Sequence, residues 1–464
     1  MRKAAVAAAA GAVLLAAGCV HAPPTKVDPS DVPKAWTGAA VSQGAGWPTR
    51  DWWKGFGSNE LTEILYEAEA NSFDVQTAAQ RVIEAEAEVT TAGSSLWPTV
   101  TGSFNASRRN AFQTHGVPDQ INYSASLGLN YEINIFGADI SNRRAAVASL
   151  AATRFDQVAV GLDTAAGVAT AYAEVLSLRD EIKVAQLDLQ AAQQTLQLIQ
   201  ARVNNGAAAP ADLVNQQAAV ARQAATIPPL QQQERQTLAS LAILLGRPAS
   251  GFNVEGQSLD SLTIPSIQPG LPSELLERRP DVAEAEADLR AGSADVDAAR
   301  ASLFPSIGLS GSAGGASTAL QNLFNPGAMA WSIAASATET IFDAGRLGAQ
   351  VRSARARERE LLIAYRQTVL SAFSEVDVTL GLIDSLARQR QQVEIEVSSA
   401  REAYRLAQIQ YREGATDLTT VLQAQSTLFT AEDQLTQIKL QQAEAAITLY
   451  RALGGGWDRK TSGI

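Results

Sequence analysis

The chain carries one set of landmarks twice. Asn71-Ser72-Phe73-Asp74-Val75 returns as Arg278-Arg279-Pro280-Asp281-Val282, and Ser95-Leu96-Trp97-Pro98-Thr99-Val100 as Ser302-Leu303-Phe304-Pro305-Ser306-Ile307, both at an offset of 207 (Asp74 to Asp281, Leu96 to Leu303). Ile135-Phe136 recurs as Ile341-Phe342 and Leu245-Gly246 as Leu453-Gly454, in the same order. A length of 464 residues would otherwise suggest about three domains; the repeat makes it two copies of one unit. Each copy reads as helix, proline, hairpin, very long helix, glycine-containing turn and returning helix. Pro98 and Pro305 mark the change from helical to strand periodicity.

No proline interrupts Asp139 to Val203 or Gly345 to Tyr411, and Val147, Leu150, Val158, Leu162, Val168, Tyr172, Val175, Leu176 and Ile182 recur at helical spacing. At about 1.5 Å per residue each helix would run roughly 100 Å, too long for a compact domain and suited to a coiled-coil-like shaft. Gly206 and Gly414 are expected to turn each hairpin, and Pro228-Pro229 to break the first returning helix. Tyr123, Ala125, Leu127, Leu129, Tyr131, Ile133 and Ile135 alternate with polar residues, which gives a strand one apolar and one wet face, as in a membrane barrel wall. Weaker alternation surrounds Phe104, Ile307 and Trp331, so four strands are expected. A closed bacterial barrel needs at least about eight, and oligomerisation follows.

Arg2-Lys3, an uncharged run from Ala4 to Ala17, and Gly18-Cys19 form a basic segment, a short apolar segment and a small-residue cleavage site. The lone Cys19 after Ala-Ala-Gly resembles a bacterial lipobox, whose thiol is acylated; Val20 lacks the aspartate of inner-membrane retention, which favours the outer membrane. No later apolar run reaches the roughly 18 residues of a membrane helix, so any other crossing uses strands. A net charge of -11 disfavours nucleic acid. One cysteine and two histidines (His21, His115) exclude an internal disulfide and a Cys/His zinc site; no metal, cofactor or catalytic residue is expected. The phosphate-binding Gly-x-x-x-x-Gly-Lys loop of an ATPase is absent, so any transport is passive. A surplus of acids would favour cations in a wet lumen, although the same residues suit an ordinary solvated helix face.

Four stretches carry a family resemblance: Trp52-Trp53-Lys54-Gly55-Phe56 with Leu61, Leu271-Pro272-Ser273-Glu274-Leu275-Leu276-Glu277-Arg278-Arg279-Pro280-Asp281-Val282, Ile341-Phe342-Asp343-Ala344-Gly345-Arg346, and Leu449-Tyr450-Arg451-Ala452-Leu453-Gly454-Gly455-Gly456-Trp457. From about Trp52 to Trp457 the chain resembles the TolC-type outer membrane factors, in the lipoprotein (NodT-like, OprM-like) branch that serves RND multidrug pumps. The resemblance implies a mixed, mainly α fold. Long antiparallel helical hairpins would form a trimeric 12-helix periplasmic barrel, and four strands per chain would contribute to a 12-stranded transmembrane β-barrel. It implies a homotrimer working with a periplasmic adaptor (membrane fusion) protein and an inner-membrane RND pump among outer membrane lipids, as a passive conduit and not an enzyme. A type I protein-secretion duct and a non-conducting structural lipoprotein are the alternatives.

The expected segments are a lipoprotein signal peptide (1–18), an acylated extended segment (19–58), a first repeat (59–246), an equatorial linker (247–272), a second repeat (273–457) and a tail (458–464). The first repeat holds strands at about 97–108 and 121–136, a helix at about 139–203 and a tip at 204–210. The second holds strands at about 304–316 and 328–342, a helix at about 345–411 and a tip at 412–416. The lipobox resemblance assigns lipidation to Cys19, the small residues Gly206, Ala207, Ala208, Gly414, Ala415 and Thr416 at the hairpin turns are expected to let an adaptor approach closely, and the family resemblance assigns periplasmic gating to Asp212 and Tyr411. Positions that carry carboxylate rings in relatives read Thr420 and Gln423, and one often basic reads Ser426.

Overall fold

A computed structural model describes residues 32–33, 35–37, 47–109, 120–265, 270, 272–457 and 459; Cys19 lies outside them. The chain is mainly helical with one four-stranded antiparallel sheet. In order, the elements are α1 (Asn59–Asn71), α2 (Phe73–Ser94), β1 (Thr99–Arg109), β2 (Gln120–Glu132), α3 (Ala138–Asn204), α4 (Pro210–Leu244), α5 (Pro272–Arg278), α6 (Pro280–Ala301), β3 (Ser306–Ser317), β4 (Met329–Thr338), α7 (Arg346–Arg412) and α8 (Leu418–Ala452). The duplication is visible in the lengths: α3 and α7 each have 67 residues, α4 and α8 each 35.

Two compact units share the chain. One consists of Arg81–Arg154 and Glu284–Arg366 and holds the sheet, ordered β1-β2-β3-β4. Registers such as Gly102↔Leu127↔Ala313↔Trp331 and Thr101↔Gly128↔Ser312↔Ser332 put apolar residues on one face and small polar ones on the other. On the polar face Ser103 and Ser126 hydroxyls lie 2.8 Å apart, and those of Ser312 and Ser332 2.9 Å. The apolar face is bare: Trp331 is 76% exposed and Ile333 72%. So large an uncovered apolar surface needs a membrane or a partner. Hydrophobic alternation continues to Ile135 and Ile341, but β2 and β4 stop at Glu132 and Thr338. The Ile133 amide still donates to the Ile307 carbonyl at 2.7 Å, and the chain then leaves the ladder, as the Ile135 amide donates to the Ile133 carbonyl at 2.9 Å and Phe136 stacks on Phe304 at 4.8 Å.

The second unit comprises the described residues of Asp28–Gln80, Phe155–Ala283 and Gln367–Ile464. Its main core gathers Trp52, Trp53 and Phe56 with Leu61 and Leu65 of α1, Tyr172 and Leu176 of α3, Leu241 of α4 and Ile447 of α8. Trp52 stacks on Tyr450 at 4.9 Å. Residues 247–272 are more than a plain linker, because Val254 and Leu259 are buried in this core. Glu60 accepts from the Gly256 amide (2.9 Å), Asp180 from the Leu259 amide (2.8 Å), and Arg179 donates to the Val254 carbonyl (2.9 Å). Those bonds satisfy backbone groups that an irregular buried segment would otherwise leave unpaired.

The Glu-Arg-Arg-Pro-Asp motif acquires a physical role in this unit. Arg279 donates to both oxygens of Asp281 (2.9 and 2.7 Å), to Glu375 (2.8 Å) and to the Ala452 carbonyl (2.9 Å), tying the start of α6 to α7 and to the end of α8. Arg451 closes the network on the other Glu375 oxygen at 2.6 Å.

One expectation fails: Pro228-Pro229 do not break the returning helix, since α4 runs through both. Each proline removes one i→i−4 donor and crowds the preceding turn. The surrounding residues are largely exposed, so water can satisfy the freed carbonyls, and the helix continues on both sides.

Candidate functional site

The ends of the two helical hairpins are built alike. At the end of α3, the Gly206 amide donates to the Val203 carbonyl (3.0 Å) and the Ala207 amide to that of Arg202 (2.8 Å); at the end of α7, Gly414 and Ala415 donate to Tyr411 (3.1 Å) and Gln410 (2.8 Å). Each is a Schellman cap, which requires a left-handed residue after the helix. Gly206 (φ 72°) and Gly414 (φ 76°) supply it without a Cβ penalty. Gly206, Ala207, Gly414 and Ala415 are exposed, while Ala208 and Thr416 are half-buried. Small side chains therefore leave backbone open at both turns.

The second helix of each hairpin starts differently. Pro210 opens α4, where its missing N–H costs nothing. Asp417 caps α8 by accepting from the Thr420 amide and hydroxyl, both at 2.9 Å. The Thr420 amide, then its hydroxyl, hold the Asp417 carboxyl below the usual carboxylate range. Thr420 and Gln423 follow on an exposed stripe of α8, with Ser426 also exposed. Neither Thr420 nor Gln423 brings a charge.

Tyr411 is buried with Ile199, Leu418 and Val421, and its hydroxyl has no hydrogen-bond partner among the described residues. Burial, then the charge of half-buried Asp212, push that hydroxyl above the usual phenol range, and Arg202 opposes them. No hydrogen bond joins Asp212 to Tyr411 inside the chain; their relation is electrostatic.

Arg202 is the residue that sequence reasoning missed. Its guanidinium lies 4.8 Å from the Tyr411 ring centroid and donates to the carbonyls of Tyr411, Arg412 (3.0 Å) and Ala207 (3.2 Å). One cation in the last turn of α3 thus serves carbonyls at the C-terminal end of α7, where the helix dipole favours positive charge, and one in the turn that follows α3. The available signal was its place in the last turn of α3, next to Gly206. Further along, Tyr404 links Thr195 (3.1 Å) and Gln425 (2.9 Å) in a buried polar bridge, and Gln216 donates to the Ala192 carbonyl (2.9 Å).

Among the described residues, no helix is long and apolar enough to cross a membrane, and no group of metal-ligating side chains is present.

The model of the outer membrane efflux protein family matches residues 64–247 and again residues 271–455, one match per repeat. The pyoverdine export outer membrane protein OpmQ of Pseudomonas aeruginosa is 37% identical over 463 residues, covering 98% of this chain and 97% of that protein. Outer membrane protein OprJ of the same organism is 31% identical over 472 residues, covering 100% and 98%. Among solved structures, the outer-membrane channel OprN superposes with a TM-score of 0.87 at 27% identity, covering 95% of this chain and 100% of that one. The open-state MtrE outer membrane channel of Neisseria gonorrhoeae gives 0.84 at 27% identity, covering 95% and 99%.

Proposed function

This chain belongs to the outer membrane efflux protein family, and from that premise we propose that it is the outer membrane channel subunit of a tripartite RND-type efflux system. It works as a homotrimer with a periplasmic adaptor protein and an inner-membrane RND pump, performs no catalysis, and conducts small toxic compounds or drugs passively from periplasm to exterior. The observation that carries the reading is the sheet. Four strands with a bare apolar face, a hydroxyl-rich opposite face and edges at β1 and β4 that no other described strand continues are one third of a 12-stranded wall, and three copies remove every edge. A relative named for pyoverdine export adds pyoverdine to the candidate cargo.

Cys19 carries the lipid anchor. The turns at Gly206-Ala207-Ala208 and Gly414-Ala415-Thr416 receive the adaptor, whose helices can approach exposed backbone where side chains are small. Asp212 and Tyr411 hold the periplasmic mouth closed between copies, and Thr420 and Gln423 line it without charge.

Reconstitution of the purified trimer in planar bilayers tests the central claim. Discrete conductance steps are expected; a trimer that inserts without conducting would reduce the protein to a spacer. Loss of drug or pyoverdine export in Ala208→Trp or Ala415→Trp cells, at normal trimer levels, is expected for tip docking, and intact export would refute it.

A further inference from the structure

The water-facing side of the sheet is almost free of charge. Across the rungs Thr101↔Gly128↔Ser312↔Ser332 and Ser103↔Ser126↔Gly314↔Ala330, and on the rungs to either side, the described side chains are serine, threonine, asparagine, glycine or alanine. Among the described side chains of this face in the four strands, Glu132 is the charged exception. It shares this face with Asn130 and Gly128 by strand alternation, and its rung reads Glu132↔Gly308↔Ser336. Gly308 has no side chain and Ser336 a short one, so neither covers or neutralises the carboxylate, and Glu132 is exposed. Glu132 borders a cavity of about 250 Å³ that Asp139 and Arg346 also line, but the Arg346 guanidinium is turned to Gln350 at 3.5 Å.

We infer that Glu132 sets the ionic preference of the barrel, as a ring of three carboxylates at the end of the wall where β2 leads into α3. The inference rests on the trimeric conduit proposed above. Twelve strands about 4.8 Å apart and tilted about 40° give a barrel radius of roughly 12 Å. At physiological salt the Debye length of about 8 Å is shorter than that radius, and the ring acts only near the wall. At 10 mM salt the length is about 30 Å, and three charges at that distance enrich cations on the axis about threefold. Among the described side chains of this face, no other charge competes with the ring. Cation preference at low salt, vanishing near 1 M, is therefore the signature of this ring.

Reversal potentials across a KCl gradient test it, with wild type, Glu132→Gln and Glu132→Lys each shown to be trimeric by size-exclusion chromatography. In dilute salt the K⁺/Cl⁻ permeability ratio should fall at least about threefold in Glu132→Gln and tip towards anions in Glu132→Lys, with little difference among the three near 1 M. Conducting trimers whose ratios match the wild type in dilute salt would overturn the assignment of Glu132 and leave the conduit intact. An absence of conductance in the wild type would overturn the conduit itself.

Discussion

The Arg202 guanidinium lies over the Tyr411 ring, 4.8 Å from its centroid, and donates to the Arg412 carbonyl at 3.0 Å, so the end of α3 holds the end of α7. Hydrogen bonds from a charged donor contribute roughly 1.5–3 kcal/mol, and those to Arg412 and Ala207 join the end of α7 to the turn after α3. Arg202→Ala should increase amide hydrogen exchange across residues 203–207 and 411–416 by at least about tenfold while leaving the core around Trp52 protected. Arg202→Lys should restore only part of the protection, because a point charge cannot reach several carbonyls as a planar fork does. Unchanged exchange in Arg202→Ala would remove this role.

Asp188 on α3 is only 4% exposed. Burial pushes its carboxyl up to about 8, reinforced by Glu432 and Asp433 on α8. Glu181 on α3 also lies near Asp433, and Arg401 of α7 is paired with Glu432. The folded protein therefore binds a proton at Asp188 that the unfolded chain releases near the ordinary aspartate value, so the contribution is complete below about pH 4 and lost as pH rises to about 8. The wild-type thermal midpoint should fall between pH 5 and pH 8 more than that of Asp188→Asn, whose amide keeps the neutral state. The variant should be the more stable of the two at pH 8. Parallel midpoints at both pH values would show that Asp188 is not the source.

Periodicity made the long helices, the hairpin turns and the four strands legible, because a 3.6-residue or 2-residue repeat is written locally. Arg202 was not legible: its partners Tyr411 and Arg412 are more than 200 residues away, and nothing near Arg202 indicates which carbonyls it meets. Asp188 reads as one more acid in a helix until α8 is laid against it. The burial of Val254 and Leu259 depended on Glu60 and Asp180, which lie far from them in sequence. Pro228-Pro229 misled for the opposite reason, since a strong local rule gave way on an exposed helix.

Gly454 shows why the C-terminal glycines stand where they do. Its φ is 84°, and a Cβ there would lie 1.9 Å from the Arg278 carbonyl oxygen. Gly454→Ala would combine left-handed strain with a backbone clash beside the Arg279 network, and should cost more than about 2 kcal/mol. Gly251 has a similar φ of 78° but open space around it, so Gly251→Ala should cost only the conformational penalty, about 1–2 kcal/mol. Denaturant midpoints of the two variants check the difference; equal losses would mean that the contact with Arg278 relaxes freely.

The mouth of the shaft provides the last test. Tyr411 keeps a buried hydroxyl with no partner among the described residues, and the Asp212 charge is close enough to raise its proton affinity. A lone chain would gain nothing from that hydroxyl, because an unsatisfied buried donor is costly. If Asp212 of a neighbouring copy accepts from it, three such bonds, each worth about 0.5–1.5 kcal/mol, favour the closed trimer. Tyr411→Phe and Asp212→Ala should therefore both raise single-channel conductance. With Thr420 and Gln423 neutral, multivalent cations added from the periplasmic side should block the wild type only weakly. Asp417 is the acid best placed to contradict this, since its cap to Thr420 holds it ionised at the start of α8. Tight block that disappears in Asp417→Asn would transfer the ring to Asp417, and unchanged conductance in Tyr411→Phe would remove the latch.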